Sequence, residues 1–223
     1  MPLKLSVLQI RKMASIYAFR ALSSKTLLEY VMPFYARSLG VRYIKQVDRE
    51  LRASHAGESG AVWIYRGALA AEFIFSLFRI NKSRNDTTRF IREHLKTERE
   101  HLAIFECEMP LFRGSFILPL WIAAGFITGF VPRLFGQNWF FYTIYCVEEF
   151  VDLHYDEQCK NMTALSIPPS NVIERFKHCQ EDEQHHRDEA LALMTQPPSL
   201  SMRLWGRALE KGSSFAVAIA KLI

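Results

Sequence analysis

Two Glu-x-x-His units constrain the fold of this 223-residue chain more than any other feature of its sequence. They are Glu98-x-x-His101 and Glu183-x-x-His186. Residues three apart share one face of an α-helix, so the carboxylate and the imidazole of each unit can bind the same metal ion. A glutamate in an apolar or small-residue setting precedes each unit: Glu58 the first and Glu148 the second. The chain therefore carries the order Glu, Glu-x-x-His, Glu, Glu-x-x-His on four predicted helices.

This order is the ligand set of the ferritin-like di-iron and di-manganese bundles, in which six side chains project inward between four helices. Four carboxylates offset the charge of two divalent ions, so the site can lie in apolar surroundings. A mixed set of oxygen and nitrogen donors suits iron or manganese better than zinc. We therefore predict an oxygen-reactive centre of two iron ions, held by Glu58, Glu98, His101, Glu148, Glu183 and His186.

Two alternatives to this interpretation stay open at the level of sequence. Each unit taken alone is also compatible with a solvated, charged helix face, because other charged residues surround it. In the second unit, Asp182 and His185 form another carboxylate-x-x-His pair. We prefer Glu183 and His186 because glutamate stands at the other three sites.

Further polar and aromatic residues lie close to the predicted ligands along the chain. Three of them are candidates for hydrogen bonds that orient the ligands: His55, His154 and Tyr155. Tyr65 lies seven residues after Glu58, on the same helix face. It could line the site, but we prefer the interpretation that it is an ordinary core aromatic. Two more histidines are predicted to be surface residues: His94 and His178.

Apolar residues recur every three or four positions over long stretches, whereas the alternating runs and tight-turn dipeptides of β-hairpins are absent. The fold is therefore predicted to be all-α. Long helices are expected over residues 43–80, 87–109, 138–162, 170–194 and 200–223. Residues 114–132 contain no charge. Because prolines and glycines there should interrupt a regular span, this segment is expected to be interfacial or half-inserted in a membrane.

The chain is predicted to consist of a basic amphipathic arm, residues 1–45, and one domain, residues 46–223. Residues 1–47 hold eight basic residues and one acid, Glu29. Such an arm suits an anionic membrane surface better than nucleic acid, and it is either a mitochondrial targeting segment or a permanent arm. Four cysteines without C-x-x-C spacing favour a reducing compartment.

Several motifs together resemble one known family. They are His55-Ala56-Gly57-Glu58, Glu98-x-x-His101-Leu102, Leu118-Pro119-Leu120-Trp121, Val147-Glu148-Glu149 with His154-Tyr155, and Glu183-x-x-His186. Over roughly residues 46–223 the chain resembles the demethoxyubiquinone hydroxylases of ubiquinone biosynthesis, a membrane-associated branch of the ferritin-like di-iron proteins. The resemblance implies the six ligands named above, with Glu98 and Glu183 as carboxylates shared by both irons. Ser54, Phe150 and a longer stretch between Glu58 and Glu98 depart from the family pattern.

The resemblance implies an O2-dependent monooxygenase that hydroxylates the ring of a demethoxyubiquinol, placing one oxygen atom on the ring and the other in water. Its partners would be an isoprenoid quinone, O2 and the membrane lipid surface, with NADH as the external source of electrons. Lipid-binding or biosynthetic-complex proteins are further possible partners, and nucleic acid is not one. The protein would be peripheral or monotopic on the inner membrane, on the cytoplasmic side if bacterial and on the matrix side if mitochondrial.

Two other functions fit parts of the sequence. Glu183-x-x-His186-Arg187-Asp188 also resembles the alternative oxidases, which would make the chain a quinol oxidase that reduces O2 to water. A ferritin-like iron-binding or scaffold protein without catalysis is the third candidate. The long charge-free segment argues against a soluble storage shell, and the complete set of six ligand types argues against a degenerate scaffold.

Overall fold

The computed structural model describes residues 41–78, 85–108, 114–166 and 168–222, and every regular element within them is a helix. The all-α prediction is therefore confirmed. The six helices are α1 (Val41–Leu77), α2 (Asn85–Glu108), α3 (Leu118–Phe135), α4 (Gln137–Thr163), α5 (Ser170–Ala192) and α6 (Leu200–Ala220). Residues 1–40 of the predicted arm lie outside the described residues.

Five of these helices were expected from the spacing of apolar residues, and their observed ends differ from the expected ones by at most three residues. The start of α6 has a clear local cause, because the side chain of Ser199 accepts a hydrogen bond from the backbone N–H of Met202. Serine at this position satisfies an N–H group that the first turn of a helix leaves without a partner.

The sixth helix, α3, runs through the charge-free segment without the expected interruption. Pro119 lies in its first turn, where a proline removes no helical hydrogen bond, and Pro132 lies near its end. Gly125 and Gly129 face α1 at very short range: a Cβ atom on Gly129 would lie 1.8 Å from the carbonyl oxygen of Ile64. The expectation that proline and glycine would break this segment was wrong, because the glycines serve close helix packing.

The helices form a four-helix bundle with two additional helices outside it. Helix α1 packs against α2, and α4 packs against α5, so the bundle consists of two helix pairs. Helix α3 lies along α1, and α6 lies mainly along α4. Gly136 joins α3 to α4 with a backbone φ of 132°, a conformation that favours glycine.

A buried ion pair holds the end of α3 against α1. Arg133 is fully buried, and its Nε donates a hydrogen bond to Glu72 Oε1 over 2.6 Å. The guanidinium group also lies over the ring of Phe75, 4.8 Å from its centre. A buried charge that loses its partner is strongly destabilising, so this pair fixes the position of α3 along α1.

The core consists of two main apolar clusters, one on each side of a polar layer. One cluster includes Ile64, Phe90 and Ile144, and the other includes Leu51, Phe105 and Phe176. Along each bundle helix, the predicted ligands lie between the residues that belong to these two clusters. The charged layer is therefore enclosed above and below by packed side chains.

Candidate metal centre

All six predicted ligands lie in this polar layer, and each is only 0 to 4% exposed. Helix α1 supplies Glu58, and α4 supplies Glu148. The two Glu-x-x-His units come from α2 and α5. The three-residue spacing puts both side chains of each unit on the inward face of its helix. The structure thus brings together every residue that the sequence analysis named as a ligand.

The ligand atoms form two overlapping groups. Glu58, Glu98, His101 and Glu183 each offer an atom within 4.8 Å of the others, and so do Glu98, Glu148, Glu183 and His186. Glu98 and Glu183 belong to both groups. Two neighbouring cation positions that share two carboxylates would have this geometry.

Glu183 connects the two histidines. Its Oε1 accepts a hydrogen bond from His101 Nδ1 over 2.9 Å, and its Oε2 accepts one from His186 Nδ1 over 3.0 Å. His186 Nδ1 also lies 3.2 Å from Glu98 Oε1. One carboxylate therefore offers one oxygen to each side of the site, which suits a bridging ligand.

Unsatisfied oxygen atoms provide a test of whether these residues fit metal ions. Glu58 Oε2 and Glu98 Oε2 are buried and accept no hydrogen bond within the described residues. Buried polar atoms without partners are costly, and a cation between them would supply the missing interaction. The donors are four carboxylates and two imidazoles, without sulfur. This set fits a pair of iron or manganese ions.

Protons compete with metal ions for the same donor atoms. Burial raises the pKa values of Glu58, Glu98 and Glu148, and the neighbouring carboxylates raise them further. Burial alone would also raise the pKa of Glu183, but hydrogen bonds from both histidines lower it to about 2. Metal binding must therefore displace protons from the carboxyl groups.

For the two histidine ligands, burial and hydrogen bonding act on the pKa in opposite directions. Burial would lower their pKa values, but the hydrogen bonds to Glu183 outweigh it and raise the pKa of His101 to about 10 and that of His186 to about 11. A cation would replace the Nδ1 proton of each ring.

Two buried tyrosines donate hydrogen bonds to Glu58 and Glu148, the two glutamates that belong to only one ligand group each. The hydroxyl of Tyr155 donates a short hydrogen bond to Glu58 Oε1, and that of Tyr65 donates to Glu148 Oε1 over 3.4 Å. Burial raises the pKa of both phenols, so they remain protonated donors. Tyr65 was expected to be an ordinary core aromatic. It does lie in the core, but it also reaches the site.

Asp182 contacts the outer side of His101 rather than the cluster of ligand atoms. His101 Nε2 donates to Asp182 Oδ2 over 2.9 Å, a carboxylate contact that is typical of metal-binding histidines. The side chain of His185 is 76% exposed, whereas His186 is buried. This placement favours the Glu183 and His186 register over Asp182 and His185.

His94 is a buried residue beside the site, so the prediction that it lies on the surface was wrong. Its Nε2 donates to Glu189 Oε2 over 2.8 Å, and its ring packs edge-on against that of His186 with centres 4.0 Å apart. Burial lowers its pKa to about 3. The signal was present in the sequence, because His94 precedes His101 by seven residues and therefore shares its helix face.

Of the three residues proposed to orient the ligands, the structure gives such a hydrogen bond only to Tyr155 within the described residues. His55 is buried, and its Nδ1 has no hydrogen-bond partner there. His154 lines a cavity next to the site. Burial lowers the pKa of both rings to about 4, so both are neutral at pH 7.

A cavity of about 350 Å³ lies between α1, α3, α4 and α6 and leads to the site. Small residues of α1 and α6, including Gly60, Ala61 and Gly212, leave room for it. Its inner end is formed by Glu58, Glu148 and Glu183. The cavity therefore connects the outer helices directly with three of the six predicted ligands.

Comparison with known proteins assigns the chain to a family. Residues 45–220 match the family model described as "Ubiquinone biosynthesis protein COQ7". The chain belongs to this family. The COQ7 match begins at residue 45, one residue before the predicted domain. Most of the predicted arm therefore lies outside it, and the division into arm and domain stays a prediction.

Individual COQ7 relatives are similar at a moderate level. The 3-demethoxyubiquinol 3-hydroxylase of Rhodospirillum rubrum is 29% identical over 179 residues, which cover 79% of this chain and 78% of that protein. The NADPH-dependent 3-demethoxyubiquinone 3-hydroxylase of Dictyostelium discoideum, a mitochondrial protein, is 30% identical over 142 residues, or 63% and 61% of the two chains. The human protein of the same name is 29% identical over 150 residues, or 65% and 64%. This chain thus spans less than two thirds of the latter two proteins.

Proposed function

We propose that this protein is an O2-dependent di-iron monooxygenase that hydroxylates the ring of a demethoxyubiquinol in ubiquinone biosynthesis. The observation that carries the proposal is the apolar cavity that ends at three carboxylates of a six-ligand cluster. Membership of the COQ7 family and the names of the relatives support the same substrate class.

The residues that would hold the two irons are Glu58, Glu98, His101, Glu148, Glu183 and His186. The bound metal would supply the activation of O2, because amino-acid side chains alone cannot perform this chemistry. We further propose NADH as the external source of electrons. The mitochondrial relatives are named NADPH-dependent, which supports a nicotinamide reductant of this type.

The protein itself would position the ligands and exclude water. Tyr155 donates to one oxygen of Glu58, and Tyr65 donates to one oxygen of Glu148. The second oxygen of each carboxylate would then be available to a metal ion. Packed apolar clusters on both sides of the site keep bulk water away. In such a dry site, electrostatic interactions with a polar substrate ring are stronger than in water.

The walls of the cavity suit a flat ring with an apolar tail. Trp121 of α3 and Trp205 of α6 line it, together with glycine and alanine residues that leave space next to Glu148. The carboxylates of Glu58, Glu148 and Glu183 also line it. A quinol ring would therefore lie against the carboxylates while its isoprenoid tail extends between α3 and α6.

The outer surface of α3 supports delivery of the substrate from a membrane. Leu120, Ile127 and Phe135 are 55 to 64% exposed and lie on one charge-free face. By length and composition alone, Gln46–Leu77 and Leu118–Phe135 are apolar enough to cross a membrane. The first of these carries Glu58 in the bundle core, so we propose a peripheral or monotopic placement on an inner membrane.

The test is the fate of isotopically heavy O2. Iron-loaded protein, a reductant and a demethoxyquinol are mixed, and the quinone product is analysed by mass spectrometry. One heavy oxygen atom in the ring is the expected result. Consumption of O2 with only unlabelled quinone formed would instead indicate an alternative-oxidase-like quinol oxidase. No consumption of O2 by the iron-loaded protein would indicate an iron-binding or scaffold protein.

A further inference from the structure

A second hollow lies beside the cavity that leads to the metal centre. It is a groove of about 840 Å³ between α4 and α6, which we call the α4–α6 groove. The charged residues that line it are Glu149, Glu157, Arg203, Arg207, Glu210 and Lys221. All of them except Lys221 are exposed, so the groove is open to water. The cavity, in contrast, is lined mainly by apolar and small residues.

A partition of three side chains separates the two hollows. Phe150 and His154 of α4 and Val217 of α6 line both the cavity and the groove, and all three are half-buried. The rings of Phe150 and His154 are nearly parallel, with an angle of 11° between their planes and 6.0 Å between their centres. A single layer of side chains therefore lies between the apolar cavity and the charged groove.

Phe150 is the largest side chain of this partition. Helix α6 passes it with small residues: between positions 212 and 220, the α6 residues that line either hollow are glycine, serine, alanine or valine. These side chains are too short to close a gap in the partition. Phe150 is also a position at which the sequence departs from the pattern of its family. The closure of the cavity on this side therefore depends mainly on one aromatic ring.

The partition lies directly beside the candidate metal centre. Glu148, a predicted ligand, lines the cavity, whereas the next residue of the chain, Glu149, lines the groove. Loss of the Phe150 ring would join the cavity to a groove that is open to water. Water would then weaken the electrostatic interactions that are strong in a dry site.

We propose that Phe150 is a specificity-determining residue, because its ring closes the cavity toward the α4–α6 groove. A substrate then reaches Glu148 along the apolar side between α3 and α6. Burial of apolar surface stabilises an isoprenoid quinol on this route, whereas a quinol without a tail lacks that surface. The inference rests on the proposed function, and it names the feature that selects isoprenoid quinols over water-soluble ones.

Entry of a tailless methoxymethylbenzoquinone into the full chain, as purified and without a reductant, tests the proposal. Trp121 and Trp205 line the cavity but not the groove, so stopped-flow quenching of tryptophan fluorescence reports the arrival of the quinone. Association is slower when binding requires a conformational change. In Phe150→Ala the ring no longer has to move aside, so the association rate constant should rise by about tenfold or more. In turnover, this variant should also show a weaker preference in kcat/KM for the isoprenoid over the tailless quinol.

Leu153 provides the matched control, because it is an apolar residue of α4 that lines the groove but not the cavity. Leu153→Ala should keep the association rate of the wild type. Phe150→Tyr retains the ring and should also behave like the wild type, whereas Phe150→Val, a smaller truncation, should give an intermediate rise. None of these variants changes a predicted ligand, so an iron content equal to that of the wild type shows that the fold is intact.

Two results would overturn the proposal. They are a wild-type association rate in both Phe150→Ala and Phe150→Val, and an equal rise in the Leu153→Ala control. Quinone entry needs no turnover, so the two proposals fail separately. A hydroxylase whose quinone entry is independent of Phe150 would contradict this inference alone. Entry that depends on Phe150, without heavy oxygen in the product ring, would contradict the proposed hydroxylase activity alone.

Discussion

At the scale of single residues, Glu183 is the carboxylate that accepts hydrogen bonds from both histidines of the candidate metal centre. Each of its oxygens accepts a hydrogen bond from one histidine, and those bonds keep its pKa low while the other three carboxyl groups have raised values. The site thus contains one permanently charged carboxylate next to three groups that readily hold protons. Two bound metal ions would lower the pKa values of those three carboxyl groups, so that all four carboxylates would be ionised.

Glu148 offers a sharp test of the ligand assignment, because Glu149 is an exposed carboxylate directly beside it in the sequence. The change Glu148→Ala should remove at least one of two irons per chain. Turnover should fall by more than about 100-fold, since loss of residues that only support a ligand already costs about 10- to 100-fold. Metal analysis and product formation measure both effects.

The control variant Glu149→Ala should retain its iron and its activity. Full iron content and full turnover in Glu148→Ala would exclude Glu148 as a ligand.

The raised pKa values predict how stability depends on pH. Unfolded histidine titrates near 6.5, whereas the folded values are about 10 for His101 and about 11 for His186. In metal-free protein, these groups contribute stability that is fully present below about pH 6.5 and is lost as the pH rises through 10. The raised pKa values of three glutamates act in the same direction. Metal-free protein should therefore become less stable from pH 6.5 to 9.

Thermal unfolding with and without Mn²⁺ measures this effect. Because fewer protons compete with the metal at higher pH, the increase in Tm on metal addition should grow over the same range. An increase in Tm that shrinks with pH would contradict the assignment of these groups as ligands.

The sequence was sufficient to name the six clustered residues because their order and spacing are local properties of four helices. It was not sufficient for the contacts of Asp182 and His94, although the seven-residue spacing from His101 already puts His94 on the same helix face as that ligand. Their roles depend on which residues of α2 and α5 face each other, and one sequence does not show such pairing. Asp182 was considered as a ligand, and the structure places it behind His101 instead.

At the scale of elements, the contact between α1 and α3 depends on glycine. A Cβ atom on Gly125 would lie 2.2 Å from the carbonyl oxygen of Gly60, and one on Gly67 would lie 2.1 Å from that of Phe126. Backbone atoms cannot move aside as side chains do, so even a methyl group should separate the helices. Helix α3 forms part of the cavity wall, and the spacing of these two helices therefore sets the width of the cavity.

Gly129→Ala should destabilise the protein by about 3 kcal/mol or more, at the upper end of overpacking effects. The added methyl group would meet the backbone of Ile64 at 1.8 Å. In Gly212→Ala, the same methyl group meets no atom within 4 Å. This control should be stabilised by about 0.5–1 kcal/mol, because alanine favours helix.

Equilibrium unfolding in denaturant compares the two variants. Equal stability of Gly129→Ala and the wild type would show that α3 is not held this tightly against α1.

The interruption expected in α3 shows a physical limit of prediction from composition. Glycine lowers helix propensity, but it also permits close approach of two helices, and only the partner helix decides which effect dominates. The carbonyl groups of Gly60 and Ile64 supply that partner surface. The other five helices were predictable because apolar residues recur every three or four positions in long stretches of the chain, and loop-forming residues separate these stretches.

At the scale of the whole molecule, the polar layer lies between two apolar clusters, and the cavity provides access to it from the side of α3 and α6. Residues of both outer helices, α3 and α6, line this cavity. The basic arm, residues 1–45, is predicted to contact anionic lipid.

Deletion of residues 1–40 should weaken binding to anionic vesicles but leave iron content unchanged. The six predicted ligands and both apolar clusters lie outside the deleted segment, and the exposed apolar face of α3 remains to support residual binding. Vesicle sedimentation and metal analysis of the truncated chain check the two expectations. A truncated protein that does not bind iron would mean that the arm is part of the fold.

The central claim is that six side chains from four helices bind two iron ions next to each other. The most direct measurement is the iron content per chain after anaerobic loading, together with Mössbauer spectroscopy of the oxidised protein. The account predicts two irons per chain with the magnetic coupling of a carboxylate-bridged pair. One iron per chain, or two irons without coupling, would contradict it.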